Sequence, residues 1–194
     1  MRTKLNLLFA IFVFNVLPAL PSIASEYTVD TGQKNTVTFF AKATLTSFSG
    51  VTDQIKGTLS WEDSDTLNTS RVHFEVDLAS IDTGNSKRNK HMREKYLETD
   101  TYPKAEYDGK LTRWTAKNDT TYLVTTEGEI TIHSVKRPLT VEARLIKKES
   151  GYHVFLQFPL DITDFNIQKP RFLVVTMDTN IQLQLSFSLI LIIR

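Results

Sequence analysis

Apolar and polar residues alternate with a period of two along most of this chain. Val72-His73-Phe74-Glu75-Val76-Asp77-Leu78 sends its apolar side chains to one face and its polar ones to the other, as a half-buried strand does. Val37, Phe39, Ala41, Ala43 and Leu45 repeat the pattern, with Phe40 blurring the opposite face. Ile55, Gly57, Leu59 and Trp61 make a shorter row. Tyr122, Val124, Thr126, Gly128, Ile130 and Ile132 make a longer one. Leu139, Val141, Ala143 and Leu145 follow an expected turn around Arg137-Pro138, and Tyr152, Val154, Leu156, Phe158 and Leu160 share the next face. The last row, Ile181, Leu183, Leu185, Phe187, Leu189 and Leu191, is the longest. Gln182, Gln184, Ser186 and Ser188 on its other side argue for a strand and against a membrane helix. About eight strands, joined by turns such as Asn118-Asp119 and Glu149-Ser150-Gly151, predict an all-β domain. With no helices regularly interleaved, the sheet is antiparallel and either closes into a barrel or folds as a sandwich.

One stretch breaks the pattern. Ile81-Asp82-Thr83-Gly84-Asn85 is turn chemistry, and Asp82, Thr83 or Asn85 can cap a short helix over about 85–98. Its strongly apolar residues, Met92, Tyr96 and Leu97, form a narrow stripe, while Lys87, Arg88, Lys90, Arg93 and Lys95 make it basic. Such a helix lies on something rather than inside it. Tyr102-Pro103 stops it, and a strand carrying Ala105, Tyr107 and Leu111 follows.

The first residues read differently again. Arg2 and Lys4 precede an apolar run from Leu7 to Leu17, Pro18 and Pro21 break it, and Ser22-Ile23-Ala24 offers small residues at a cleavage site. This predicts a secretory signal peptide over 1–24, with one domain over 25–194 and no membrane span after cleavage. Cleavage takes two of the 23 basic residues and none of the 22 acidic ones, so the remaining chain is close to neutral. A near-neutral exported protein is a poor candidate for nucleic acid. The absence of cysteine excludes disulfides, thiolate metal sites and cysteine nucleophiles.

Catalytic signatures are missing. There is no G-x-S-x-G, H-E-x-x-H, phosphate loop or dinucleotide fingerprint. His73, His91, His133 and His153 lie far apart in sequence, without the close spacing of metal ligands. Glu62-Asp63-Ser64-Asp65 reads as a solvated loop, and nothing around Asp161 and Asp164 marks an acid–base pair. The expectation is a protein that is not an enzyme and needs no metal or cofactor.

Several of these segments, in order, resemble the YceI-like family of exported lipid-binding, or polyisoprenoid-binding, proteins. They are Ser47-Phe48-Ser49-Gly50 leading to Ile55-Lys56-Gly57, Val76 to Asn85 with Arg88, Lys90-His91 and Met92, Tyr102-Pro103-Lys104-Ala105-Glu106-Tyr107, and Gly128 to Leu139. The chain departs from the family's usual residues at Asn89 (commonly Asp), Tyr96-Leu97 (commonly Phe-Phe) and Ser134 (commonly Gly).

The resemblance implies a lipocalin-like antiparallel β-barrel enclosing an apolar tunnel, with the helix near its mouth. Its implied function is an exported carrier, periplasmic or secreted, for a long-chain amphiphilic lipid of isoprenoid, quinone or fatty-acid type; a homodimer is compatible with it. The apolar lining is then expected from Phe39, Phe74, Val76, Leu78, Met92, Tyr96, Leu97, Ile130, Ile132, Val154, Leu156, Phe158, Leu183, Leu185 and Phe187. Arg88, His91 and Arg93 are expected at the rim, beside the head group. Two other readings compete: an envelope stress-response or protein-interaction module with an incidental pocket, and a head-group enzyme using His91 or Asp82.

Overall fold

The computed structural model describes residues 25–44, 46–61, 67–172 and 175–192. The expected leader, Leu45 and the acidic stretch 62–65 lie outside them. Twelve strand segments occur among the described residues. They are β1 (Ser25–Val29), β2 (Thr36–Ala43), β3 (Thr46–Thr52), β4 (Ile55–Trp61), β5 (Arg71–Asp77), β6 (Lys104–Ala116), β7 (Thr121–Ile132), β8 (Val135–Lys148), β9 (Gly151–Asp161), β10 (Arg171–Phe172), β11 (Val175–Thr176) and β12 (Asn180–Leu191). β10 and β11 form a separate two-stranded sheet. The other ten form one sheet in the order β1-β4-β5-β6-β7-β8-β9-β12-β2-β3, closed by pairing of β1 with β12.

Register explains why ten segments make an eight-stranded wall. β12 pairs through Leu189–Leu191 with β1 and through Gln182–Ser186 with β2, so β1 and β2 are two halves of one wall strand. β3 beside β2 and β4 beside β1 are related in the same way. The result is a closed antiparallel barrel, not a sandwich, with one short helical segment between β5 and β6.

Two boundaries differ from the sequence pattern. β5 ends at Asp77, whose carboxylate accepts from the Ala79 N–H at 2.8 Å, so Leu78 starts a 3-10 turn and not the end of a strand. The β7–β8 connection is a two-residue turn at His133-Ser134 with φ of 52° and 60°, the left-handed geometry tight hairpins require. The expected turn at Arg137-Pro138 is instead inside β8, where Pro138 faces Glu129. Proline is tolerated there because β8 joins β9 from Ala143 to Lys148 and, among the described residues, has no strand neighbour on that side above it. Ile162, Phe165 and Ile167 fill the splayed gap, in one cluster with Val135 and Leu139.

β6 contains a bulge between Leu111 and Arg113, which resets the inward phase of the strand. Gly109 and Gly128 face each other across β6 and β7; a Cβ on Gly109 would come within 2.9 Å of the Tyr107 hydroxyl oxygen. The missing side chain lets the Tyr107 ring lie along the wall. Tyr107 also joins the barrel's two apolar clusters, being packed against both.

Candidate functional site

The barrel is hollow. A cavity of about 610 Å³ runs inside the wall, within the range of small-molecule sites. Leu145, Leu111 and Ile55 are almost fully buried, as in a packed core. Phe74, Val76, Leu156, Phe158, Leu183 and Leu185 also point inward and pack against the buried clusters, yet are only partly buried because they face the cavity. Aliphatic and aromatic side chains that miss their packing partners inside a closed wall leave room for an apolar guest.

All fifteen apolar positions expected from the sequence line this cavity, including Leu78 on its turn and Met92, Tyr96 and Leu97 on the helix. Val154 and Phe187 are themselves buried and belong to the packed end. The lining also takes in positions the alternation alone does not single out, among them Ile162, Ile167 and Met177 from the segment after β9.

The helical segment explains the mouth. Helix α1 (Ser86–His91) begins after Gly84, whose φ of 72° suits glycine, and is capped by Asn85, whose side chain accepts from the Arg88 N–H at 2.9 Å. It continues as a π turn over Met92–Tyr96, closed by the Leu97 N–H donating to the Met92 carbonyl at 2.8 Å. Asn89 ties the entrance together: its carbonyl oxygen accepts from the Thr83 N–H and hydroxyl, and its amide donates to Asp82. An aspartate at that position would lose the amide donor and oppose a second carboxylate. Hydrogen bonds from Asn89 and the Gly84 N–H hold the Asp82 carboxyl below its usual range. That is the opposite of what a proton donor near neutrality needs.

Exposed Asn85 and Lys87 line the cavity with Arg88 and His91, so it reaches the surface beside α1. Arg88 is held in place. Its Nε donates to the Thr83 hydroxyl at 2.8 Å and one Nη to the Thr83 carbonyl at 2.6 Å, while its guanidinium lies 4.3 Å from the Phe48 ring centroid. Stacking of this kind favours a fixed cation. Arg93, expected at the rim, is not among the lining residues. Its Nη2 donates to the Ile81 carbonyl at 3.3 Å and its buried Nε has no partner, so it braces the helix against the barrel. The acidic residue in the lining is Glu106.

The sequence reading missed one polar feature inside. The Tyr107 hydroxyl donates to Thr126 Oγ1 at 2.9 Å and lies 3.3 Å from the Leu139 carbonyl, and all three residues line the cavity. Burial raises the Tyr107 pKa, so the phenol is neutral and able to donate. Among the described residues, no cluster of three or more His, Asp or Glu is arranged to hold a metal. Asp161 caps a 3-10 turn by accepting from Thr163, and these bonds hold its pKa below the usual value. His153 lies on the outer face, hydrogen-bonded to Ser186 and Ser188.

Residues 27–189 match the YceI-like domain. The chain belongs to the YceI-like family. Among its relatives, Protein YceI of Shigella flexneri is 28% identical over 178 residues, covering 86% of this chain and 87% of the relative. Protein YceI of Escherichia coli O157:H7 gives the same figures. The barrel is similar to that of BcnA from Burkholderia cenocepacia, with a TM-score of 0.66 and 18% identity over 82% of this chain and 98% of that one. It is also similar to a polyisoprenoid binding domain from Saccharophagus degradans implicated in plant cell wall breakdown. There the TM-score is 0.64 and the identity 16%, over 84% of this chain and 97% of that one. Membership in the YceI-like family and these two structural likenesses agree on the fold.

Proposed function

We propose that this YceI-like protein is an exported carrier that sequesters a long-chain amphiphile, its tail inside the barrel and its polar head at the mouth. The observation that carries the reading is the hollow interior, with a wall of partly buried aliphatic and aromatic side chains that face the cavity. The polyisoprenoid binding named for the Saccharophagus degradans domain supports an isoprenoid or similarly long apolar tail. Each methylene moved from water into such a tunnel contributes roughly 0.8 kcal/mol. About ten of them give on the order of 8 kcal/mol before ordering costs, enough to hold a lipid without catalytic precision.

The head group is left to the mouth. Arg88, fixed on Phe48 and Thr83, with Lys87 and His91 beside it, favours an oxygen-rich or anionic head. Export to the periplasm or beyond rests on the basic and apolar pattern of residues 1–24. The test is native mass spectrometry of the protein purified from its own host, followed by organic extraction. A stoichiometric long-chain amphiphile supports the carrier. A protein that is empty and refuses quinones, polyprenyl phosphates and fatty acids removes it.

A further inference from the structure

Five aromatic side chains meet at the end of the barrel away from α1: Tyr27, Trp61, Trp114, Tyr122 and Tyr152. Tyr152 is the hub. Its ring centroid lies 5.3 Å from Tyr27, 6.3 Å from Trp61, 6.0 Å from Trp114 and 6.1 Å from Tyr122. Tyr27 stacks on Trp61 at 5.1 Å with the planes 9° apart, and Trp114 is 5.1 Å from Trp61 and 5.2 Å from Tyr122.

None of the five lines the cavity, but strand register puts four of them side by side with residues that do, at its far end. Tyr27 pairs with Leu59, Tyr122 with Leu145, Trp114 with Val124 and Tyr152 with Leu189, all four partners being lining residues. Trp61 follows Leu59 by two positions on the same face of β4. The β6 bulge completes the set. An unbroken period of two from Leu111 would turn Arg113 inward; the extra residue, Thr112, leaves Arg113 exposed and places Trp114 opposite inward-facing Val124.

We infer that this aromatic floor is a ruler that fixes the length of tail the tunnel accepts. The inference rests on the lipid-carrier reading and deepens it: the ligand class becomes amphiphiles with a tail of bounded length. Rings with two side-chain torsions, each packed against several others, make a stop that cannot swing aside singly. Along β12 the lining runs from Ile181 to Leu189. At about 3.4 Å per residue and a tilt of about 40°, that is on the order of 20 Å of depth. An extended chain advances about 3.5 Å per three bonds, so roughly 17 bonds, or about four isoprene units, span rim to floor.

Both tryptophans of the chain are in the floor, so emission excited selectively at tryptophan reports on it, free of the tyrosines elsewhere. The experiment titrates farnesol, geranylgeraniol and solanesol into the wild-type protein and into Tyr152→Ala, Tyr152→Phe and Tyr122→Ala. Wild type should bind geranylgeraniol at least about tenfold more tightly than farnesol and gain nothing further with solanesol, and only the two longer prenols should shift tryptophan emission. Tyr152→Ala should move the optimum to solanesol, while Tyr152→Phe keeps the wild-type order. Tyr122→Ala opens the edge of the floor and serves if Tyr152→Ala fails to fold. Prenol binding with an unchanged length order in both alanine variants, or equal emission shifts with farnesol and geranylgeraniol, overturns the ruler. If none of the prenols binds wild type, the lipid reading fails and the ruler falls with it, a result distinct from retained binding without length selection.

Discussion

The two ends of this barrel are made from the same alternating strands and come out opposite in character. At one end, inward residues such as Leu145 and Leu111 are almost fully buried and five aromatic rings close the wall. At the other, equally apolar inward residues such as Leu183 and Phe158 pack on one side against the Ile130 and Phe165 cluster and face the cavity on the other, and a basic helix with a fixed Arg88 frames the way out. Alternation specifies only which side chains face inward. Whether they meet depends on what caps the wall, rings at one end and a helix laid across the rim at the other.

The largest effect should come from putting charge into the hollow half. Phe158→Asp places a carboxylate where no partner awaits it and should reduce lipid affinity by about a hundredfold or more, read by isothermal titration with a bound prenol. Phe158 faces the cavity on one side and packs against the Ile130 and Phe165 cluster on the other, so affinity is read on variant protein shown to be folded by a cooperative thermal melt. Unchanged uptake would remove Phe158 from the binding wall.

A pair of truncations sharpens the contrast. Leu145→Ala opens a void in packed structure and should cost about 2–4 kcal/mol of unfolding free energy in urea. Leu183→Ala removes atoms that already lack part of their packing, and should cost on the order of 1 kcal/mol while weakening binding more than Leu145→Ala does. Equal stability losses would deny that the two halves differ in packing.

Arg88→Gln should weaken an anionic amphiphile by no more than about fivefold, since a rim-exposed pair contributes at most roughly 1 kcal/mol. The deficit should shrink as salt is raised and be absent for a neutral lipid. A deficit that persists at high salt and for neutral lipids would mean that Arg88 acts by shaping the mouth.

The smallest effect lies on the outer wall. Burial, with Lys148 and Arg144 adding repulsion, holds the His153 imidazole below its ordinary 6.5. As pH falls through that value the unfolded chain takes up a proton that the folded chain refuses, so stability declines below pH 6.5 and is indifferent to this group above it. His153→Gln should flatten that decline in thermal melts across mildly acidic pH. An identical pH profile would assign the decline to other groups.

The strands were legible because their two faces differ. β5, β9 and β12 carry clean alternation, and every apolar position picked from them lies on the cavity wall. The floor was legible only in part: Trp61, Tyr122 and Tyr152 stand in the inward rows, but Tyr27 and Trp114 do not. Trp114 lies out of phase with Leu111, and only the bulge brings it under the cavity. Arg93 looked like a rim cation because the helix sequence cannot show the Ile81 carbonyl packed against its side. The true β7–β8 turn was hidden because His133-Ser134 lacks the Asn-Gly chemistry that marks such hairpins, while Pro138 suggested a break that the one-sided pairing of β8 makes unnecessary.

The orientation of the guest is the central claim, and paramagnetic quenching tests it most directly. Stearate labelled with a doxyl group near its methyl end, or beside its carboxylate, is bound to the protein and the emission of Trp61 and Trp114 is followed. A tail-first guest predicts strong quenching by the methyl-end label and little by the carboxylate-end label. Equal quenching by both, or stronger quenching by the label beside the carboxylate, would contradict a head at the mouth and a tail on the floor.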